Sequence, residues 1–146
     1  MHNSKYLESL KLNSLSNTAV RQLVFSVLSS NTQPLSMNEL IAFCNKVDRV
    51  SVYRTIDIFE KIGIVSRINL GWKYKLELSD NFKEHHHHLS CNVCGAIVDF
   101  EEPETLNREL EKIALIKNFI VEQHALELRG TCIDCQIKQN TKQLLP

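Results

Sequence analysis

Apolar positions recur with the period of a helix as far as Ile62 and then change to strand-like alternation. Leu7 and Leu10 predict a short first helix. Val20, Leu23, Val24, Val27 and Leu28 follow the i, i+3, i+4, i+7, i+8 order of one buried face, with Ser16 or Asn17 as the expected cap. Asn31-Thr32-Gln33-Pro34 ends that helix, because proline has no amide hydrogen to continue it. Ser36 stands three residues before Glu39, the signature of a capping box, ahead of a helix through Leu40, Ile41 and Cys44. A further helix is expected from near Ser51, with Val52, Ile56, Phe59 and Ile62 inward and Tyr53, Arg54 and Asp57 on other faces. Gly63 suits its stop. The runs 64–70 and 73–78 then read as two strands turning at Gly71.

The second half has a different rhythm. A polar stretch, Ser79-Asp80-Asn81-Phe82-Lys83-Glu84, is expected as a hinge. Leu89-Ser90-Cys91 and Ala96-Ile97-Val98-Asp99-Phe100 read as strands. A helix is expected from about Pro103 to Ile116, with Leu106, Leu110, Ile113 and Ala114 on one side. Phe119-Ile120-Val121 and Ala125-Leu126-Glu127-Leu128 read as further strands, and the tail after Cys135 as polar with no core periodicity. The order predicts an α+β protein: a winged helix-turn-helix over 1–80, a hinge at 81–84, an α/β domain over 85–136, and a polar tail over 137–146.

Helix, turn, helix and hairpin suit a short exposed helix whose outer side chains enter a major groove. Tyr53 can reach a thymine methyl or a phosphate, and Arg54 a phosphate or a guanine edge. Arg49 and Arg67 flank the same helix and are expected to hold the nucleic-acid backbone. Charge distribution leans the same way. The 146 residues sum to zero, yet residues 1–84 carry 11 basic against 8 acidic groups and residues 85–146 carry 6 against 9. A hydrophobic content of 43% excludes a disordered chain, and no apolar run approaches the length of a membrane span. A soluble cytoplasmic protein is expected.

Cysteine and histidine are partitioned more sharply than charge. Four of five cysteines and five of six histidines follow residue 84. Cys91-x2-Cys94 and Cys132-x2-Cys135 form two knuckles separated by 37 residues, enough for a β-α-β element between them. Two knuckles supply the tetrahedral tetrathiolate that Zn2+ prefers. The alternatives are a disulfide framework or a thioredoxin-like redox motif; the first lacks an export context, and the second uses a single motif. Cys44 falls on the helical apolar pattern and reads as a small buried hydrophobe.

His85-His86-His87-His88 leads directly into Cys91. In a strand, alternation sends His86 and His88 to one side and His85 and His87 to the other, so one run can serve two sites. The alternative is a solvated histidine-rich linker. His124 is expected to approach one side of the run, and Asp99 and Glu77 are the candidate oxygen ligands of mixed N/O sites.

Taken together these residues resemble the ferric uptake regulator (Fur) family of bacterial repressors. The carriers are Ser51-Val52-Tyr53-Arg54-Thr55-Ile56, Gly63-Ile64-Val65, the block from His85 to Gly95, Val98-Asp99-Phe100, His124 and Gly130-Thr131-Cys132-Ile133-Asp134-Cys135. The resemblance implies a winged-helix domain joined by a hinge to an α/β dimerisation domain, and a homodimer that binds an inverted-repeat DNA operator when its regulatory metal is present. It implies structural zinc on Cys91, Cys94, Cys132 and Cys135, and a regulatory divalent ion (Fe2+, Zn2+ or Mn2+) on Glu77, His86, His88 and Asp99. It implies a further metal site on His85, His87 and His124, and DNA-reading positions at Tyr53 and Arg54, beside which Arg49, Ser51 and Arg67 are expected to contact DNA. Pro34 stands near where relatives often supply a histidine to the regulatory site. Where relatives carry a glutamate at the further site this chain has Asn107, with Glu104 one turn earlier as the expected stand-in.

The functional expectation is a metal-responsive repressor with no enzymatic activity and no membrane partner. Two other classes compete with it. One is a constitutive zinc-stabilised nucleic-acid-binding module that senses nothing. The other is a metalloenzyme that would draw an acid–base group from Glu84 or Glu102, although no spacing selects either.

Overall fold

A computed structural model describes residues 2–70, 73–122, 124 and 126–143. The expected turn at Gly71, the strand position Ala125 and the last three tail residues lie outside the described residues. The chain divides into two compact units, Met1–Glu84 and His85–Pro146.

The first unit is built from α1 (His2–Leu12), α2 (Ala19–Ser30), α3 (Met37–Phe43), α4 (Arg49–Lys61), β1 (Val65–Leu70) and β2 (Lys73–Leu78). The core faces of α2 and α4 follow the periodicity: Val24 and Leu28 are buried from α2, and Val52, Ile56 and Phe59 from α4. On α1 the buried residues are Tyr6 and Leu10, while Leu7 is exposed. Tyr6 stacks on Phe25 with centroids 4.2 Å apart, meets Phe59 edge-on, and donates its hydroxyl to Asn17 Oδ1 at 2.8 Å. Burial pushes that phenol up to about 12, against the pull of Arg21.

That tertiary bond corrects one expectation. Asn17 is engaged with Tyr6, and Thr18 caps α2 by accepting from the Arg21 amide at 3.3 Å. The Ser36–Glu39 capping box is present in both directions. Asp48 caps α4 through the Ser51 amide, so the helix starts at Arg49, two residues before the expected start. Gly63, at φ +70, turns the chain out of α4 as expected.

β1 and β2 pair antiparallel from Val65 opposite Leu78 to Leu70 opposite Lys73. Leu35 bridges Leu76 through two backbone bonds of 2.9 and 2.7 Å, which gives the segment after Pro34 a partner and ties the hairpin to the helices. Within the stretch read as a polar hinge, Phe82 is buried with its ring 5.6 Å from Phe25.

The second unit holds a three-stranded sheet in the order β4-β3-β5. β3 (His87–Cys91) is central, antiparallel to β4 (Ile97–Phe100) and parallel to β5 (Glu127–Gly130). The parallel pair needs a crossover, which α5 (Glu104–Ile116) provides. Pro103 is the N-cap of α5 and lies just outside it.

One expectation fails in this unit. Phe119-Ile120-Val121 is not a strand: after the C-cap Lys117, Asn118 at φ +53 turns the chain out of α5 as the Phe119 amide returns to Ala114 O, and no described strand pairs with the segment. The polar tail is helical, as α6 (Ile133–Gln143). It begins at the second knuckle, where Cys132 O accepts from the Cys135 and Gln136 amides, and no proline or glycine interrupts it. On the side of α5 that carries Leu106, Leu110, Ile113 and Ala114, Ile113 is 57% exposed and the other three are half-buried.

Candidate metal centres and DNA-reading surface

Strand β3 ends at Cys91, and the turn through Cys94 and Gly95 (φ +74) returns the chain toward β4. Beside it, β5 leads to Cys132, and Cys135 lies in the first turn of α6. Pairing of Cys91 with Gly130 therefore brings the knuckles together. All four sulfurs lie within 4.8 Å of one another, and Cys94 Sγ is 3.7 Å from Cys132 Sγ. Zinc–sulfur bonds of about 2.3 Å put tetrahedral vertices roughly 3.8 Å apart, so the cysteines fit one zinc ion. Their electrostatics differ. Backbone amides of Cys132, Cys94 and Val93 aimed at Cys91 lower its thiol to about 6, the Cys132 amide standing 3.3 Å from the sulfur. Burial, reinforced by the neighbouring sulfurs, pushes Cys135 up to about 12. A dication at the centre is what allows all four to ionise together.

The histidine run divides as alternation requires. His85 and His87 rings lie 4.6 Å apart and both face His124, while His86 and His88 form a separate pair at 4.8 Å. On the first side the fourth member is Glu102. Its Oε2 is 3.0 Å from His124 Nε2 and 3.6 Å from His87 Nε2, and His85 Nε2 is 3.3 Å from His124 Nε2. Metal–ligand bonds of about 2.0–2.1 Å require separations of roughly 3.3 Å in a tetrahedron, so this set also fits one ion. Burial holds His87 below the usual imidazole range despite Glu102, keeping the ring neutral, the form that binds metal. His87 Nε2 and Glu102 Oε1 are buried without a hydrogen-bond partner, as unfilled ligand atoms would be.

Glu104 is not part of that cluster. It is exposed on α5, 3.1 Å from Arg108 one turn later. The register explains why Glu102 takes the place. The ladder ends with His87 opposite Phe100, and Glu102 follows two residues beyond Phe100, on the same face by alternation.

On the other side of β3, His88 faces Asp99 across the ladder, with Nε2 3.6 Å from Oδ1. Glu77 belongs to the first unit. It lies on β2 opposite Ser66, and its Oε2 is 3.1 Å from Lys83 Nζ.

The exposed edge of α4 carries Arg49, Val50, Tyr53, Arg54 and Asp57. Tyr53 is 41% exposed, whereas Thr55 turns inward and bonds Ser51 O through its hydroxyl at 2.8 Å. Ser51 is half-buried and its amide is engaged by Asp48. Arg67, expected to hold a backbone phosphate, instead pairs with both carboxylate oxygens of Glu60.

Comparisons with known proteins follow from these features. The profile of the Ferric uptake regulator family matches residues 13–129. A ferric uptake regulation protein of Bordetella parapertussis is 37% identical over 98 residues, covering 66% of this chain and 68% of its own. A peroxide-responsive repressor PerR of Staphylococcus saprophyticus is 32% identical over 140 residues, covering 90% of each. Among solved structures, the Helicobacter pylori ferric uptake regulator Fur, described with three functional metal binding sites, aligns with a TM-score of 0.78 at 28% identity, over 93% of this chain and 94% of that one.

Proposed function

This chain belongs to the ferric uptake regulator family of metal-responsive DNA-binding regulators, and on that premise we propose that it works as a homodimeric repressor whose operator affinity is set by a divalent ion. The observation that carries the reading is the division of one histidine run between two ligand sets, beside a tetrathiolate centre.

Residues 1–80 are assigned DNA reading. Tyr53 and Arg54 meet base edges and phosphates, and Arg49 and the head of α4 at Ser51 sit against the backbone. Residues 85–136, with α6, are assigned metal binding and dimerisation. Cys91, Cys94, Cys132 and Cys135 hold structural zinc, which cross-links β3, β5 and α6. His86, His88 and Asp99 hold the regulatory ion. His85, His87, Glu102 and His124 hold a further ion. Dimerisation is supported by the uncovered apolar groove of about 980 Å3 along α5, lined by Leu110, Ile113, Phe119 and Val121.

Regulation follows as a population shift. Two half-sites select dimers that present both α4 helices at the operator spacing, and the regulatory ligands favour that presentation. Coupling of about 1–3 kcal/mol would change operator affinity by roughly 5–150-fold. The activity is regulatory and not catalytic, and the compartment is the reducing cytoplasm, where the four thiols stay available to zinc. No helix among the described residues is long and apolar enough to cross a membrane.

Elemental analysis of the purified protein, before and after mild chelation, tests the assignment. One retained zinc per chain with up to two further, exchangeable ions is expected. Loss of all metal together, or a single site, would contradict it.

A further inference from the structure

We propose that Arg67 is a positioning residue of the DNA-reading surface: it clamps the wing to the recognition helix and does not itself hold a phosphate. The inference rests on α4 being the helix that enters the groove. Sequence placed Arg67 on the wing strand beside that helix, where a basic side chain reads naturally as a backbone contact.

The guanidinium is otherwise occupied. Its Nε and Nη2 take both oxygens of Glu60, with Nη2 2.6 Å from Oε2, the fork-to-fork arrangement that gives arginine pairs their directionality. Nη2 also lies 3.9 Å from Asp57 Oδ1, and the flat face covers the Tyr74 ring with Cζ 4.3 Å from its centroid. Asp57 and Glu60 are on α4, spaced i to i+3; Arg67 is on β1 and Tyr74 on β2. One side chain therefore joins the recognition helix to both strands of the wing.

Charge points the same way. Arg67 stands between two carboxylates, so the trio is net negative and a weak attractor for phosphate. Asp57 is one turn beyond Tyr53 on the exposed edge, and Arg67 offsets a carboxylate that would otherwise face the duplex.

Operator binding separates the two roles. A duplex selected by the wild-type protein from randomised DNA, with Mn2+ present, serves as the probe in fluorescence anisotropy across a salt series. Arg67→Gln and Glu60→Gln are each expected to weaken binding several-fold, and neither to change the slope of log affinity against log salt. The charge swap Glu60→Arg with Arg67→Glu is expected to recover most of the loss. A phosphate contact would instead lower the slope by about one per protomer in Arg67→Gln, let Glu60→Gln bind more tightly, and leave the swap unrescued. Any of those three results overturns the proposal. Arg54→Gln is the control for the premise: affinity and slope unchanged there would reject α4 as the reading helix, independently of Arg67. Thermal unfolding of Glu60→Gln, a change at the surface, identifies loss of fold separately.

Discussion

Replacing Phe82 by alanine will destabilise the first unit by about 3–5 kcal/mol, the range for emptying a buried phenylalanine site. The side chain is 4% exposed, its ring meets Phe25 at 5.6 Å and 71°, and Lys5 Nζ lies 5.9 Å from the centroid. The edge-to-face pair alone accounts for about 0.5–1.5 kcal/mol of that loss. A unit of this size has a total stability on the order of 5–10 kcal/mol, so the substitution removes a large share of it. The unfolding midpoint should fall by at least roughly 12 °C, since each kilocalorie shifts a domain of this length by about 4–8 °C. Urea titration of the full chain followed by far-ultraviolet circular dichroism measures the change. Phe82→Leu, which keeps most of the volume, should lose much less. If Phe82 belonged to a solvated linker, as its polar neighbours suggest, alanine would cost less than about 0.5 kcal/mol, and that result would refute the packing of this stretch onto the helices.

Three further outcomes follow. Ser36→Ala should cost about 1 kcal/mol at neutral pH, in the range of other cap deletions. Glu39 is held below its ordinary value by bonds from Ser36, so the stability it contributes is present above that value and is lost as pH falls through the lowered one; Glu39→Gln should therefore destabilise at pH 7 and converge with wild type in acid, as denaturation at both pH values will show. Glu102→Gln should weaken the ion held with His85, His87 and His124 by tenfold or more, while Glu104→Gln should leave it unchanged, measured by competition with a chromogenic zinc chelator. Equal effects of the two substitutions would contradict the cross-strand assignment.

Local spacing made much of the protein legible before any coordinates. The capping box at Ser36, the two cysteine knuckles and the alternation of the histidine run depend only on residues a few positions apart, and each occurs as expected. What spacing missed depends on pairing between distant segments. Glu102 enters the His85 cluster because β3 and β4 pair in a register that no local pattern encodes. Phe82 is a lone aromatic in a polar stretch, and only the place left beside Phe25 tells it from a linker residue. Phe119 to Val121 shows strand composition without a neighbouring strand among the described residues, and α6 has helix-forming residues but few apolar ones, so periodicity misread the first and left the second without an element. Arg67 was placed correctly on the wing, but its ionic partners come from the helix before it.

The central claim is that ligands on one side of β3 govern the presentation of two reading helices. Operator affinity titrated against free Mn2+, in protein that retains its zinc, tests it most directly. Wild type should bind its operator at least about fivefold more tightly at saturating metal, and His86→Ala/His88→Ala should show no such gain. An equal response from both proteins would contradict the account.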